Sequence, residues 1–142
     1  MRITGSKLID IEDSGIIARQ VNAFGIPENL FHKELGQKYP HHKTAYEELC
    51  SQRSPSALMG TVQILDITKD LILVNYFAKV APTDKTSYDA LVSCWKQIRD
   101  IELTPVYIQH GVGCFNDDAE WEIYSTIVDF YRPDVISCKP RP

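Results

Sequence analysis

Glycine is scarce in this chain, with seven in 142 residues, which is few for a protein that would wrap its backbone closely around a nucleotide. Long apolar runs are missing as well. None approaches the roughly 20 residues that a membrane-spanning helix needs, so no membrane partner is expected. The N-terminal stretch MRITGSKLIDIEDSG carries charge among its apolar residues and has no leader-type apolar core. There is no basic excess: 15 Lys+Arg stand against 19 Asp+Glu, a formal net charge of −4. That balance argues against a broad phosphate-neutralising surface and therefore against duplex nucleic acid as a partner. Cys50, Cys94, Cys114 and Cys138 form no CxxC pair, which excludes zinc-finger and disulfide frameworks and reads as reduced thiols in a cytoplasmic protein. His41-His42 lack the i, i+4 spacing of a helical metal site and have no carboxylate cluster beside them, so neither metal nor cofactor is expected.

What is present is an ordinary globular composition, 44% apolar and 24% charged, with no linker, repeat or low-complexity segment. One domain over residues 1–142 follows. Gly15–Val21 (GIIARQV) is a compact, mostly apolar run bounded by turn residues, as a buried strand would be. Pro27 suits a first helical turn, Phe31, Leu35 and Tyr39 follow at helical spacing, and Pro40 ends that helix. Tyr46, Leu49 and Cys50 keep helical spacing in the next segment. Thr61–Ile67 and Leu71–Phe77 read as neighbouring strands joined around Lys69 and Asp70. Thr86 and Asp89 form a T-x-x-D start signal for a helix whose stripe is Tyr88, Leu91, Val92, Trp95 and Ile98. Thr104–Gln109 reads as a strand. Asp117 and Glu120 open a helix with Trp121, Tyr124, Ile127, Val128 and Tyr131 on one face, and Asp134–Cys138 is a last strand. Strands alternating with helices imply an α/β fold, and the adjacent central strand pair implies a mixed sheet.

Ligands of such sheets sit beyond the carboxyl ends of strands, in loops that lead into helices. Two loops meet that description: 22–30 after the first buried strand and 110–117 after the strand at 104–109. Gly111-Val112-Gly113 can bring backbone N–H groups to an anion, or simply form a tight turn. His110 could bond a phosphate or serve as an acid–base group, or have no duty. Cys114 precedes a helix start, which lowers a thiol pKa, whereas Asp117 and Asp118 would raise it. Phe24 and Phe115 flank the two loops, where a ring could stack on a base or ribose or plug an empty cleft. Asp117 is a natural helix cap and also a group that could orient a water. Asn22 can close the turn after its strand or reach a ligand.

In order and separation, QVNAFG at 20–25, KYPHHKTAYEELC at 38–50, LMGTVQILDI at 58–67, VNYFA at 74–78, SYDAL at 87–91 and HGVGC followed by DAEWE resemble the macro domain family. The similarity is greatest to short, stand-alone bacterial and phage-type members. It implies a three-layer α/β/α sandwich around a mixed sheet, a site for ADP-ribose or a related nucleotide derivative, and in many members hydrolysis. An ADP-ribosylated protein would then be a partner, and ADP-ribosyl hydrolase or ADP-ribose 1''-phosphate phosphatase the activity. By this resemblance Asn22 lies near the distal ribose, Gly25 belongs to the first loop, and Gly111, Val112 and Gly113 form the second diphosphate loop. Asp117 matches the aspartate of the hydrolysing subgroup.

The resemblance also marks departures. The first-loop glycines fall on Glu28 and Leu30, the subgroup's lysine falls on Asn29, and the residue after Gly5 is Ser6, with Asp10 displaced from the adenine-reading place. Glu28 in a first helical turn would repel a diphosphate by about 1 kcal/mol in water and about 4 kcal/mol at an effective dielectric of 20. Two functions therefore compete: nucleotide binding carried by Asn22, Phe24, Gly25, His110, Gly111, Val112, Gly113, Cys114, Phe115 and Asp117, and a protein-interaction module whose cleft would be closed by Glu28, Leu30 and Phe115. Thiol chemistry at Cys114 is a distant third.

Overall fold

The computed structural model describes residues 1–112 and 118–140. In chain order its strands are β1 (Arg2–Thr4), β2 (Gly15–Asn22), β3 (Val62–Thr68), β4 (Leu71–Lys79), β5 (Val106–Gln109) and β6 (Ile136–Cys138). They form one sheet in the order β1-β6-β5-β2-β4-β3, in which β3 is antiparallel to β4 and the other pairings are parallel. Helices α1 (Leu30–Lys38), α2 (Pro40–Gln52) and α3 (Pro55–Leu58) cover one face, and α4 (Tyr88–Arg99) and α5 (Asp118–Tyr131) the other. This is the three-layer mixed sandwich expected. Among the described residues no helix is long and apolar enough to cross a membrane, and no cluster of His, Cys, Asp and Glu is placed to hold a metal.

The central position of β2 explains its composition. A strand with helices on both faces has no wet side, so every residue of β2 is buried. Ile16 and Ala18 pack with Leu91, Trp95, Tyr124 and Val128, while Ile17 and Val21 face Phe31, Leu35 and Tyr46 on the opposite side. Each such aliphatic side chain contributes about 1.5–3 kcal/mol on burial. The two polar residues inside the run are bonded across the sheet. Gln20 donates to the Thr86 hydroxyl and accepts from Tyr124, and Arg19 Nε donates to Asn75 Oδ1 at 2.6 Å.

Most boundaries agree with the sequence reading, with three differences. Helix α1 starts at Leu30 with Asn29 as its cap, because the Asn29 side chain accepts from the His32 N–H, so Pro27 and Glu28 precede the helix. Helix α4 is capped by Ser87, since the Thr86 hydroxyl is engaged by Gln20. Pro40 ends α1 and is also the first residue of α2, a position where its missing N–H is not needed. The short edge strand β1, which pairs with β6 over three residues, has too little length to show a period.

Gly15 sets how β2 enters the sheet. Its φ is +137°, a region that side chains rarely adopt, and the Pro105 carbonyl oxygen stands where a Cβ would point. That oxygen accepts from the Ile16 N–H at 2.9 Å, so a side chain would push β2 away from the segment leading into β5. Gly15→Ala is expected to destabilise the fold by roughly 1–3 kcal/mol, read as a lower urea midpoint at unchanged slope. An unchanged midpoint would show that the two strands can part at this point without loss.

Candidate functional site

Because β2 and β5 are adjacent and parallel, the loops that follow them emerge side by side at the carboxyl edge of the sheet. The first loop is organised by Asn22, at the bulged end of β2 where the register slips and Asn22 pairs with Lys79. Asn22 is fully buried. Its Oδ1 accepts from the N–H groups of Phe24 and Ile26, and its amide donates to the Ile26 carbonyl at 2.7 Å and to Glu28 Oε2 at 3.1 Å. Tyr46 donates its hydroxyl to the Asn22 carbonyl at 2.6 Å. Both amide protons are thus engaged inside the loop. Of the two roles open to Asn22, closing the turn is the one its contacts perform, and a direct ribose contact would require breaking them.

Glu28 is turned inward. Its Oε1 forms an ion pair with Lys79 Nζ, both side chains being largely buried. The first-turn carboxylate expected to repel an anion is therefore displaced, because the buried ammonium draws it away from the N-terminus of α1. The Glu28 N–H donates to His32 Nδ1 at 3.2 Å, closing the loop onto the helix it precedes. Outside this knot the loop presents apolar side chains: Phe24, Ile26 and Leu30 are 51%, 46% and 70% exposed. Gly25 takes a left-handed φ of +75° in the turn.

On the second loop, His110 follows β5 directly. Its N–H donates to the Cys138 carbonyl, its Nδ1 lies 2.8 Å from Ser137 Oγ, and its ring sits 4.8 Å from that of Trp121. Burial, aided by the nearby Lys139 charge, lowers its pKa, so it is a neutral, oriented hydrogen-bonding group at neutral pH. Gly111 has φ +73° and open space where a Cβ would be. Val112 packs against the α4–α5 side of the core. Gly113, Cys114, Phe115 and Asp117 lie outside the described residues.

Beside these loops lies a cavity of about 170 Å³, formed by Lys7, Leu8 and Ile9, by Leu30, Phe31 and Glu34 of α1, and by Gln109, Cys138 and Pro140 at the strand ends. Its walls are mainly apolar, and it borders the N-terminus of α1. Lys79, His32 and Tyr46 were not singled out from the sequence as site residues. A lysine ending a mostly apolar buried strand, LILVNYFAK, is the signal that could have pointed to the first of them. His42, one of the adjacent histidine pair, uses Nε2 against the Asp66 carbonyl at 2.6 Å.

No family model matches this chain, and no curated protein matches its sequence. Solved structures match its fold. The macrodomain of Thermus aquaticus DarG has a TM-score of 0.78, covering 98% of this chain and 97% of that one at 12% identity. The macrodomain of Mycobacterium tuberculosis DarG has a TM-score of 0.75, covering 99% and 97% at 20% identity. Thermosipho africanus DarTG, solved in complex with ADP-ribose, gives 0.75 at 12% identity, over 99% of this chain and 42% of that one. The chain has the macrodomain fold.

Two measurements test the first loop. Glu28→Gln leaves the buried Lys79 ammonium facing a neutral amide and is expected to cost about 3 kcal/mol of stability. Adding Lys79→Met should recover most of that, and a double-mutant cycle without coupling would show that the ion pair does not hold the loop. His32 supplies a pH test. Burial, then the nearby Arg19 and Lys79 charges, push its pKa from the usual 6.5 down to about 3. The folded ring stays neutral while the unfolded chain binds a proton, so this stability is complete above about pH 6.5 and is lost as pH falls toward about 3. The slope approaches about 1.4 kcal/mol per pH unit. Urea unfolding of His32→Gln should lack that component, and parallel pH profiles would refute the buried neutral ring.

Proposed function

We propose that this protein binds ADP-ribose, free or attached to another protein, in the cleft between the loops after β2 and β5. The observation that carries the reading is the inward turn of Glu28. It removes the one charge that set the first loop against an anion and leaves the N-terminus of α1 bordered by an apolar slot. The macrodomain fold and the ADP-ribose complex of the Thermosipho africanus relative support it. In this reading Leu8, Phe31 and Cys138 border the adenine, the backbone at Gly111–Gly113 holds diphosphate oxygens, and Phe24 lies against the distal ribose. Asn22 and Gly25 act by shaping the loop.

Binding rather than lysine-dependent hydrolysis is the primary activity proposed. Asn29 stands where the hydrolysing subgroup's lysine falls, and its side chain is engaged in capping α1. Any turnover of an ADP-ribosyl bond or of ADP-ribose 1''-phosphate is assigned to a water oriented by Asp117. A second reading draws on the exposed Phe24, Ile26 and Leu30, an apolar lip suited to a protein partner. Calorimetric titration with ADP-ribose separates the two. The expected dissociation constant is micromolar, on the order of −8 kcal/mol. Leu30→Gly, which clears a Cβ from the helix start, should tighten it, and Asp117→Ala should abolish turnover while sparing binding. Absence of heat at millimolar ADP-ribose would overturn the nucleotide reading and favour the interaction module.

A further inference from the structure

A second cavity, of about 240 Å³, opens on the other side of α1, between it and α2. Its floor is Arg19, which is 7% exposed and has no carboxylate within ion-pair distance among the described residues. A guanidinium in that position is held from behind. Its Nε donates to Asn75 Oδ1, the Asn75 amide donates to Gln63 Oε1 at 2.9 Å, and the Gln63 amide donates to the Ala45 carbonyl at 3.2 Å. The Tyr46 ring covers it, with 5.2 Å from the guanidinium carbon to the ring centroid. This ladder fixes the strand-facing edge and leaves the Nη1/Nη2 edge without a hydrogen bond to the described residues, lining the cavity.

His32 lines the same cavity and is 6% exposed. Its Nδ1 accepts from the Glu28 N–H and so carries no proton, which in a neutral ring places the proton on Nε2. No described residue accepts from that nitrogen. Two side chains buried beyond nine-tenths thus bring donors to one cavity and find no acceptor there. Lys33 and Lys43 stand at its exposed rim, opposed by one carboxylate, Glu47. Arg19, Lys33, Lys43 and Glu47 together leave a surplus of two positive charges. Burial lowers the Arg19 pKa to about 10, which leaves it charged at neutral pH.

We propose that this cavity is a second ligand site that takes a phosphoryl dianion, as inorganic phosphate or as the phosphate end of a small phosphomonoester. A tetrahedral dianion matches both the charge surplus and the several directions from which donors arrive, whereas the Arg19 fork alone would saturate a carboxylate. The apolar wall of Pro27 and Leu35 leaves room for a short organic tail. The site shares no lining residue with the slot assigned to ADP-ribose, and α1 contributes residues to both.

The test titrates the full chain, in phosphate-free buffer, with inorganic phosphate and in parallel with glycerol phosphate, following the side-chain NMR signals of His32 Nε2–H and of Arg19. Both signals should shift saturably, with a dissociation constant of about 1 mM or tighter. Tighter binding of glycerol phosphate would identify a phosphomonoester as the ligand, and equal or weaker binding would identify phosphate itself. Arg19→Met should weaken phosphate by about tenfold or more while leaving the ADP-ribose titration unchanged. Should that variant fail to fold, the rim pair Lys33→Gln/Lys43→Gln, on exposed positions, should weaken it by about tenfold. Equal affinity in the folded variants, or unmoved His32 and Arg19 signals at about 20 mM phosphate, overturns the proposal.

Discussion

The buried pair between Glu28 and Lys79 organises the first loop and the sheet edge beneath it. The bulge between Val21 and Asn22 brings Lys79, at the end of β4, beside Asn22 under the first loop. An ammonium in that position demands a carboxylate, since an uncompensated buried charge costs several kcal/mol. The loop supplies one only by folding Glu28 back into the protein. From that single requirement follow the exposure of Ile26, the release of Asn29 to cap α1, and the docking of the Glu28 N–H onto His32. Asn22 bridges the parts by touching Glu28, Ile26 and Phe24 at once.

This arrangement reassigns the polar chemistry around the loop. Asn22 and Glu28 are internal structure, and the surface they leave exposed on this loop is apolar side chain: Phe24, Ile26 and Leu30. Across α1 the reverse holds, with donors from Arg19 and His32 converging on a cavity whose described lining residues include a single carboxylate, Glu47. Helix α1 therefore borders two environments of opposite character. A fold can keep its topology while the chemistry of its loops is exchanged, which is why the macrodomain architecture and the departures at Glu28, Asn29 and Leu30 coexist.

Much of the architecture was legible in the sequence. The run at 15–21 read as a buried strand because only a central strand tolerates apolar residues on both faces, and the stripe Leu91, Trp95 and Ile98 read as one helix face. Strand β1 was not legible, since three residues show no period and gain their place only from β6. The start of α1 was misplaced for a local reason: Pro27 and Glu28 make as good a helix opening as Asn29 does, and sequence spacing cannot choose between overlapping caps.

The sequence by itself determined the order of the main elements, the mixed sheet, the two loops that follow β2 and β5, and the residues available to them. Those properties rest on periodicity, turn chemistry and composition, which are local along the chain. Only the tertiary structure decided which way Glu28 points, that Asn22 is engaged within its own loop, and that Arg19 lines a cavity with no carboxylate in ion-pair distance among the described residues. Each depends on a partner far away in sequence, Lys79 for Glu28, Tyr46 for Asn22 and Asn75 for Arg19, and electrostatic pairing of that kind exists only once the strands have been brought side by side.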